Sequence, residues 1–409
     1  MNIPELLSPA GSMESLEAAL HFGADAVCGG MKKYGLRAMA DNFDGAELRK
    51  AVAAAHGMGR KFYLTMNIYP FDDELEGFAE AARHALEAGV DAAVVSDPGA
   101  IRTLRTRVPE LKIHVSTQAS TVNTPAAEMY RDMGCERVIL AREVSLERIA
   151  EMKRRLGDSI QLETFVHGAS CMAYSGRCLL SAYLTGRSGN RGECAQPCRW
   201  KYAVVEEKRP GQYMPVAEDE NGTYLFSARD LCLMPILPEL CAAGVSSLKI
   251  EGRMKSEYYV ATVTGAYRRA LDLLRTGEEA FRRALPELTE ELKCASHRDS
   301  DTGFLLGNPE TPGEAEGFHQ EREYIARVLD ADAGNGLSRL LLKNRFFAGD
   351  ELERMGRNGI TKVKASPFIR EKTGERMESF GVAGETVLME VPGCEKGDML
   401  RGPVRNHRR

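Results

Sequence analysis

Four segments of the chain repeat one short pattern, in which an amphipathic helix reaches a glycine corner and passes directly into an apolar, β-branched run. They are LEAALHFGADAVCGG, ARHALEAGVDAAVVSD, AEMYRDMGCERVILARE and LPELCAAGVSSLKIEGR. Their corner glycines, Gly23, Gly89, Gly134 and Gly244, stand where a helix C-terminus favours a residue that tolerates the left-handed conformation. Further units fit between them, since Gly59 precedes KFYLTMN, Pro109 precedes LKIHVSTQ and Gly157 precedes IQLETFVHG. The pattern predicts strands starting near residues 3, 25, 61, 91, 112, 137, 160 and 246, with another around Thr223 to Ser227. Such nearly continuous apolar runs belong to parallel strands covered on both faces. About eight βα units in the first 300 residues predict an α/β fold, a (β/α)8 TIM-barrel-like domain, with a doubly wound open sheet as the alternative.

Polar residues follow these strands immediately. They include Asn67 after the third, Gln118 after the fifth, Arg142 after the sixth and His167 at the end of the seventh, then Lys249, Glu251 and Arg253 after the last. In a barrel the C-terminal strand ends converge on one mouth, where catalytic groups lie. Gln118, Arg142, Lys249, Glu251, Arg253 and His167 are therefore candidate site residues. Ser8, Ser96 and Asp97 in the same positions read equally well as helix caps.

The pattern changes near residue 307. Residues 1–306 carry the βα units, and the Gly-, Pro- and Glu-rich stretch GNPETPGEAEGFHQ, residues 307–320, reads as a linker. In residues 321–409 the short alternating runs REYIARVLDA, LSRLLLKN, TVLMEV and KGDMLR predict a small antiparallel β-barrel-like domain. That part holds 17 basic and 14 acidic side chains, a charge of +3 against −5 for the whole chain. Within it, RMGRNGITKVKASPFIR has five basic residues and no acidic one, and Gly356 and Gly359 suggest a mobile loop. Lys362, Lys364 and Arg370 are its candidate RNA contacts. A protein with an acidic excess needs such a local patch to approach a phosphate backbone.

No apolar stretch approaches the roughly 18 residues that a membrane helix requires. The N-terminal MNIPELLSPAG lacks a basic flank followed by an apolar block, which argues against a secretory signal and for a cytoplasmic location. Ten cysteines in such a chain are expected as reduced thiols and metal ligands rather than disulfides. Four of them, Cys171, Cys178, Cys194 and Cys198, gather in residues 167–200 as a C-x6-C-x15-C-x3-C array; single ones such as Cys28, Cys135 and Cys241 read as small core residues. Grouped thiolates would repel if ionised and oxidise if exposed, and a soft metal centre resolves both problems. Structural zinc and an iron–sulfur cluster both accept four cysteines. Cys194 and Cys198 have zinc-knuckle spacing and Cys171 and Cys178 do not, so spacing leaves both metals open. Arg177, Arg187, Arg191, Arg199 and Lys201 crowd this segment against one acid, Glu193, and positive charge stabilises thiolates and attracts anionic substrates.

At ELLSPAGSMESLEAALHFGADAV, HVSTQASTVN, ETFVHGASCMAYSGRCLLSAYLTGRSGNRGECAQPCRWKY, SLKIEGRMKSEYYV and SHRDSDTGFLLG the chain resembles the collagenase-like, "unclassified" peptidase family. Members of that family include oxygen-independent hydroxylases of tRNA, of ribosomal RNA and of the ubiquinone ring. The resemblance implies that Cys171, Cys178, Cys194 and Cys198 hold a 4Fe-4S cluster. The small C-terminal domain resembles most the tRNA-modifying branch, which makes 5-hydroxyuridine at the wobble position with prephenate. This implies an RNA-modifying enzyme with tRNA as partner and prephenate, a small dicarboxylate, as co-substrate. In that reading Arg142, Lys249, Arg253 and Gln118 bind substrate, and His167 or Glu251 moves a proton. The family's name keeps a collagenase-like peptidase as the alternative. Neither H-E-x-x-H nor G-x-S-x-G occurs in the chain, and no other spacing identifies a protease nucleophile with its base.

Overall fold

The computed structural model describes residues 2–36, 41–171, 173–174, 176–200, 229–307 and 318–405, together with four two-residue strands between residues 204 and 223. Seven strands follow one another in parallel register: β1 (Glu5–Pro9), β2 (Ala26–Gly30), β3 (Lys61–Met66), β4 (Ala92–Val95), β5 (Ile113–Val115), β6 (Arg137–Ile139) and β7 (Gln161–Ala169). A short strand, β8 (Asp230–Cys232), comes next, and then β9 (Ser247–Ile250). β9 pairs in parallel with both β7 and β1, Ser247 lying opposite Glu163 on one side and Glu5 on the other. This double pairing closes an eight-stranded parallel barrel, so the open-sheet alternative does not hold.

The glycine corners work as their positions imply. Gly23, Gly89, Gly134 and Gly244 have φ of +95°, +88°, +82° and +81°, values that Cβ-bearing residues rarely adopt. Each barrel strand starts within two residues of its expected position. The strand expected around Thr223 to Ser227 differs: Gly222–Thr223 forms a two-residue pair with Glu218–Asp219, and residues 224–228 lie outside the described residues. The strand that does join the sheet is β8, which runs antiparallel to the end of β7, Cys232 opposite His167. Several helices are capped by side chains, among them those capped by Asp44, in a capping box with Glu47, and by Ser256, which accepts from the Tyr259 N–H. Among the described residues no helix is long and apolar enough to cross a membrane.

The C-terminal part is an eight-stranded antiparallel sheet. Its central strands are Glu351–Gly356, Met399–Pro403, Arg322–Asp330, Ser338–Leu342 and Thr386–Met389, in that spatial order. It has its own core around Phe346, Phe368, Leu340, Val387 and Leu400. The stretch expected to be a mobile loop is instead a regular hairpin. Glu351–Gly356 pairs with Gly359–Lys364 through all six residues, and Arg357 and Asn358 form the two-residue turn.

The sheet packs on the barrel's outer helices through paired polar groups. Tyr324 stacks on Tyr258 with centroids 5.2 Å apart and donates to Glu257 at 2.8 Å. Arg401 bonds Glu291 at 2.6 and 2.7 Å and Glu353 at 2.7 Å. His21 meets Asp398 at 2.8 Å. Residues 308–317, most of the expected linker, lie outside the described residues.

Candidate active site

The cysteine segment that follows β7 lies over the barrel mouth, held there by contacts that require small residues. Gly176 has φ of +76°, and a Cβ on it would stand 2.3 Å from the Gln118 carbonyl oxygen. A Cβ on Gly192 would stand 2.7 Å from the Gly35 oxygen. Arg191 then clamps the segment to the loop after β3, donating to Glu74 at 3.0 and 2.5 Å and to the Tyr69 carbonyl at 3.1 Å. Buried Ser181, on the short helix Leu180–Thr185, accepts from the Ala195 N–H at 3.0 Å and ties the segment's two halves together.

Between this segment and the strand ends lies a cavity of about 550 Å³. Cys171, Cys178, Cys194 and Cys198 all line it, and so do Gln118, Arg142, Lys249, Glu251 and Arg253. Chain positions from 118 to 253 are thus gathered at one place, because each lies at or beyond the C-terminal end of a barrel strand. Cys171, Cys178 and Cys194 are exposed and Cys198 is half-buried. Among the described residues no three His, Cys, Asp or Glu side chains come close enough together to hold a single metal ion. The four residues instead share the lining of one cavity. Their donor chemistry, four soft sulfurs beside a cationic pocket, fits a soft metal group. Of the basic residues expected here, Lys201 and the Arg199 side chain lie outside the described residues.

The cations are held by different devices. The Arg142 guanidinium stacks on Phe165, 4.2 Å from the ring centroid, and donates to the Ala169 carbonyl at 3.0 Å. Arg253 is buried and hydrogen-bonds the Thr65 hydroxyl. Gly30 makes room for it, since a Cβ there would lie 2.8 Å from Arg253 Nη1. Lys249 is buried with Glu163 at 3.4 Å. Burial alone would depress its pKa, but Cys28, Glu163 and Glu251 more than offset this and hold it above the ordinary lysine value. Glu163 also meets Arg137 at 2.9 Å, and Arg137 meets Glu5 at 2.7 Å. A row of alternating charge therefore runs down the barrel interior to Lys249, each member compensated by the next.

His167 is not part of this cavity. It is buried against Tyr267 and Tyr259, with ring centroids 5.7 and 6.1 Å away. The cause is a register shift between β9 and β7: Lys249 pairs with Phe165, but the next residue, Ile250, pairs with His167. The extra residue, Val166, is a bulge, which re-aims the side chains that follow it. Phe165 keeps the cavity-facing position and His167 is rotated away. Burial pushes its pKa down to about 4, against a partial pull upward from Asp230, so the ring is neutral at physiological pH. Glu251 lines the cavity, and its carbonyl accepts from Tyr259 at 3.0 Å.

Cys28 and Phe165 are among the lining residues that the sequence pattern does not mark as site residues. Cys28, expected as a core residue, is buried and also lines the cavity. Burial pushes its thiol pKa up, countered by Lys249 and Arg253. Phe165 was hidden in an apolar strand. The available signal was position, since Cys28 immediately precedes the glycine pair that ends β2. Asp97 caps a helix, accepting from the Ala100 N–H at 2.7 Å, whereas Ser8 and Ser96 bond Thr264 and the Asn67 carbonyl. The RNA candidates lie on the C-terminal sheet. Lys362 and Lys364 are exposed on the strand Gly359–Lys364, while Arg370 is engaged by Glu385 at 2.7 and 2.6 Å.

Comparison with known proteins agrees with this two-part architecture. The profile of Peptidase family U32 matches residues 11–315, and that of the Peptidase family U32 C-terminal domain matches residues 320–401. A protein named tRNA hydroxylation protein P, from Escherichia coli, is 36% identical over 433 residues, covering 95% of this chain and 94% of its own length. One named tRNA hydroxylation protein P1, from Bacillus subtilis, is 40% identical over 356 residues, covering 86% of this chain and 83% of its own. The solved structure of the U32 peptidase Mk0906 aligns over 61% of this chain and 93% of that one, at 16% identity and a TM-score of 0.40. With both of its parts matched, the chain belongs to peptidase family U32.

Proposed function

We propose that the protein is an oxygen-independent tRNA hydroxylase of the cytoplasm that converts the wobble uridine to 5-hydroxyuridine, with prephenate as co-substrate. The relatives named for tRNA hydroxylation, similar along nearly the whole chain, support the class of reaction. The observation that carries the reading is the shared cavity, in which four thiols from one segment face Arg142, Lys249 and Arg253 from the barrel.

Cys171, Cys178, Cys194 and Cys198 would hold a 4Fe-4S cluster, which supplies redox or Lewis-acid chemistry at the cavity wall when bound. The chain's own residues do the rest. Arg142, Lys249 and Arg253 bind the carboxylates of a dicarboxylate such as prephenate, because charge-assisted bonds to guanidinium and ammonium groups are the strong ones. Gln118 orients it with a neutral amide. Glu251 is the proton carrier, as the one cavity-lining carboxylate among the candidates; His167, buried elsewhere, does not take that role. The cysteine segment forms the outer side of the cavity. Exposed Lys362 and Lys364 on the C-terminal sheet contact the tRNA backbone.

A peptidase reading would need a thiol or hydroxyl activated by a neighbouring base. The histidine four residues before Cys171 faces Tyr259 and Tyr267, and burial raises the Cys28 pKa. Nothing in this geometry favours peptide cleavage.

The test is anaerobic purification followed by visible spectroscopy, iron analysis and mass analysis of nucleosides from tRNA incubated with the protein and prephenate. Brown protein and a prephenate-dependent gain of one oxygen on uridine are expected. Serine at any of Cys171, Cys178, Cys194 or Cys198 should abolish both, and Cys232→Ser and Cys394→Ser should abolish neither. Stoichiometric zinc with negligible iron, or gelatin cleavage that survives the cysteine changes, would overturn the proposal.

A further inference from the structure

A second, shallower cavity of about 470 Å³ opens at the rim beside the first. It is walled by Tyr69, Phe71, Tyr130, Arg177 and Arg191, and it shares Gly176 and Asn190 with the main cavity. Its volume is within the range of small-molecule sites, ~300–1,000 Å³. Its composition is unusual for a surface of a protein with net charge −5, with aromatic rings and arginines and no carboxylate in its wall.

The details suit a stacked base. Phe71 is 64% exposed, a large apolar ring left in solvent. The Arg191 guanidinium lies 4.7 Å from its centroid and is fixed by Glu74 and the Tyr69 carbonyl. The ring is thus braced by a cation while its remaining surface is open. Arg177 is exposed, and among the described residues no carboxylate is paired with it. The Tyr69 hydroxyl bonds the Gln118 carbonyl, so the groove's floor is tied to a residue of the main cavity. Gly176 is the partition between the two spaces, packed against Gln118 and Tyr69 too closely for any side chain.

An enzyme that modifies a base inside a closed cavity must take that base out of its stack, and its neighbours in the strand are left to be held elsewhere. Single-stranded bases are held by stacking on aromatic rings and arginine planes, with cations on the phosphates between them. We propose that the rim groove receives the nucleotide adjacent to the modified one, its base stacked on Phe71 and the intervening phosphate on Arg177. This assignment rests on the tRNA reading above, and names the part of the RNA that the mouth recognises besides the target base.

The test is a binding cycle with the anaerobically purified full-length protein and a labelled anticodon stem-loop RNA. In two further RNAs the base on either side of the target uridine is removed. Phe71→Ala is expected to weaken binding of the intact RNA about tenfold, with the visible spectrum unchanged. One of the two abasic RNAs should bind the parent about as weakly as the intact RNA binds Phe71→Ala, and Phe71→Ala should not distinguish that RNA from the intact one. Arg177→Gln should lower the salt dependence by the equivalent of about one phosphate contact. Parent-like affinity in both variants, or additive losses for Phe71→Ala and each abasic RNA, would overturn the proposal. Binding is read independently of chemistry: a parent that shows this cycle but hydroxylates no tRNA overturns the functional reading and leaves the groove standing. A parent that binds no RNA overturns both.

Discussion

The Arg142 guanidinium lies over the Phe165 ring at 4.2 Å, and the Lys249 ammonium approaches the same ring at 5.6 Å. Two cations from different strand ends are thereby oriented by one aromatic side chain. Stacking fixes the plane of Arg142 without neutralising it, which leaves its charge available to a ligand in the cavity.

Arg142→Ala should therefore raise the KM for the dicarboxylate and lower kcat/KM about 10- to 100-fold, the equivalent of a charge-assisted bond of ~1.5–3 kcal/mol. The visible absorbance should not change, because Arg142 is not a thiol. Phe165→Leu keeps the strand apolar and removes only the ring, so its effect should be smaller and in the same direction. An unchanged KM in Arg142→Ala would remove this residue from the anion site.

Gly30→Ala offers a test of Arg253 that leaves the arginine in place. The added methyl would stand 2.8 Å from Arg253 Nη1 and 2.9 Å from Thr65 Oγ1. Gly30 has no positive φ, so the backbone accepts alanine and the strain falls on the arginine head. The variant should mimic the KM defect of Arg253→Ala while its melting temperature stays near that of the parent. Parent kinetics in Gly30→Ala would mean that the cradle does not set the arginine's position.

The barrel was legible in the sequence because its signal is redundant. Each unit carries its own glycine corner and its own buried run, and no single one decides the fold. Arg142, Lys249, Glu251 and Arg253 were legible for the related reason that a strand end in a barrel points to one mouth, and the cysteines because four of them crowd one segment. His167 obeys the same rule in sequence and breaks it in space, since a bulge at Val166 turns it outward, and a bulge leaves no mark in an apolar strand. Phe165 was invisible for the complementary reason. The hairpin at Arg357 and Asn358 has the composition of a mobile loop, because Gly356 and Gly359 each loosen a chain. Glycines flanking a two-residue turn instead close a hairpin, and the six-residue pairing supplies the order that composition does not express.

That hairpin carries two exposed lysines, Lys362 and Lys364, on one strand. Lys362→Glu with Lys364→Glu should weaken tRNA binding and flatten its salt dependence, with the spectrum unchanged, because exposed lysines contribute through counterion release. Arg370 is best left intact. A glutamate there would face Glu385, its present partner at 2.6 Å, and a loss of binding could then reflect a disturbed sheet. Equal affinity and salt slope in the double variant and the parent would remove these lysines from the interface.

The buried histidine gives the protein a defined weakness to acid. His167 is 6% exposed, and burial lowers its pKa to about 4 from an ordinary 6.5, with Asp230 opposing and His297 and Lys255 reinforcing the shift. Between those two values the unfolded chain takes up a proton that the folded chain refuses. Stability must therefore fall as pH is lowered through that window, and it recovers as pH rises. A shift of this size corresponds to a loss on the order of 3 kcal/mol once both values have been passed. His114, also held well below its ordinary value by burial, acts with the same sign and remains in a His167 variant. His167→Gln should consequently flatten the acid limb only in part. Urea midpoints measured between pH 7 and 4.5 for parent and variant should converge as pH falls, the parent losing more. Parallel curves would mean that His167 titrates in the folded protein as it does in the unfolded chain, and that the bulge at Val166 does not seal it from water.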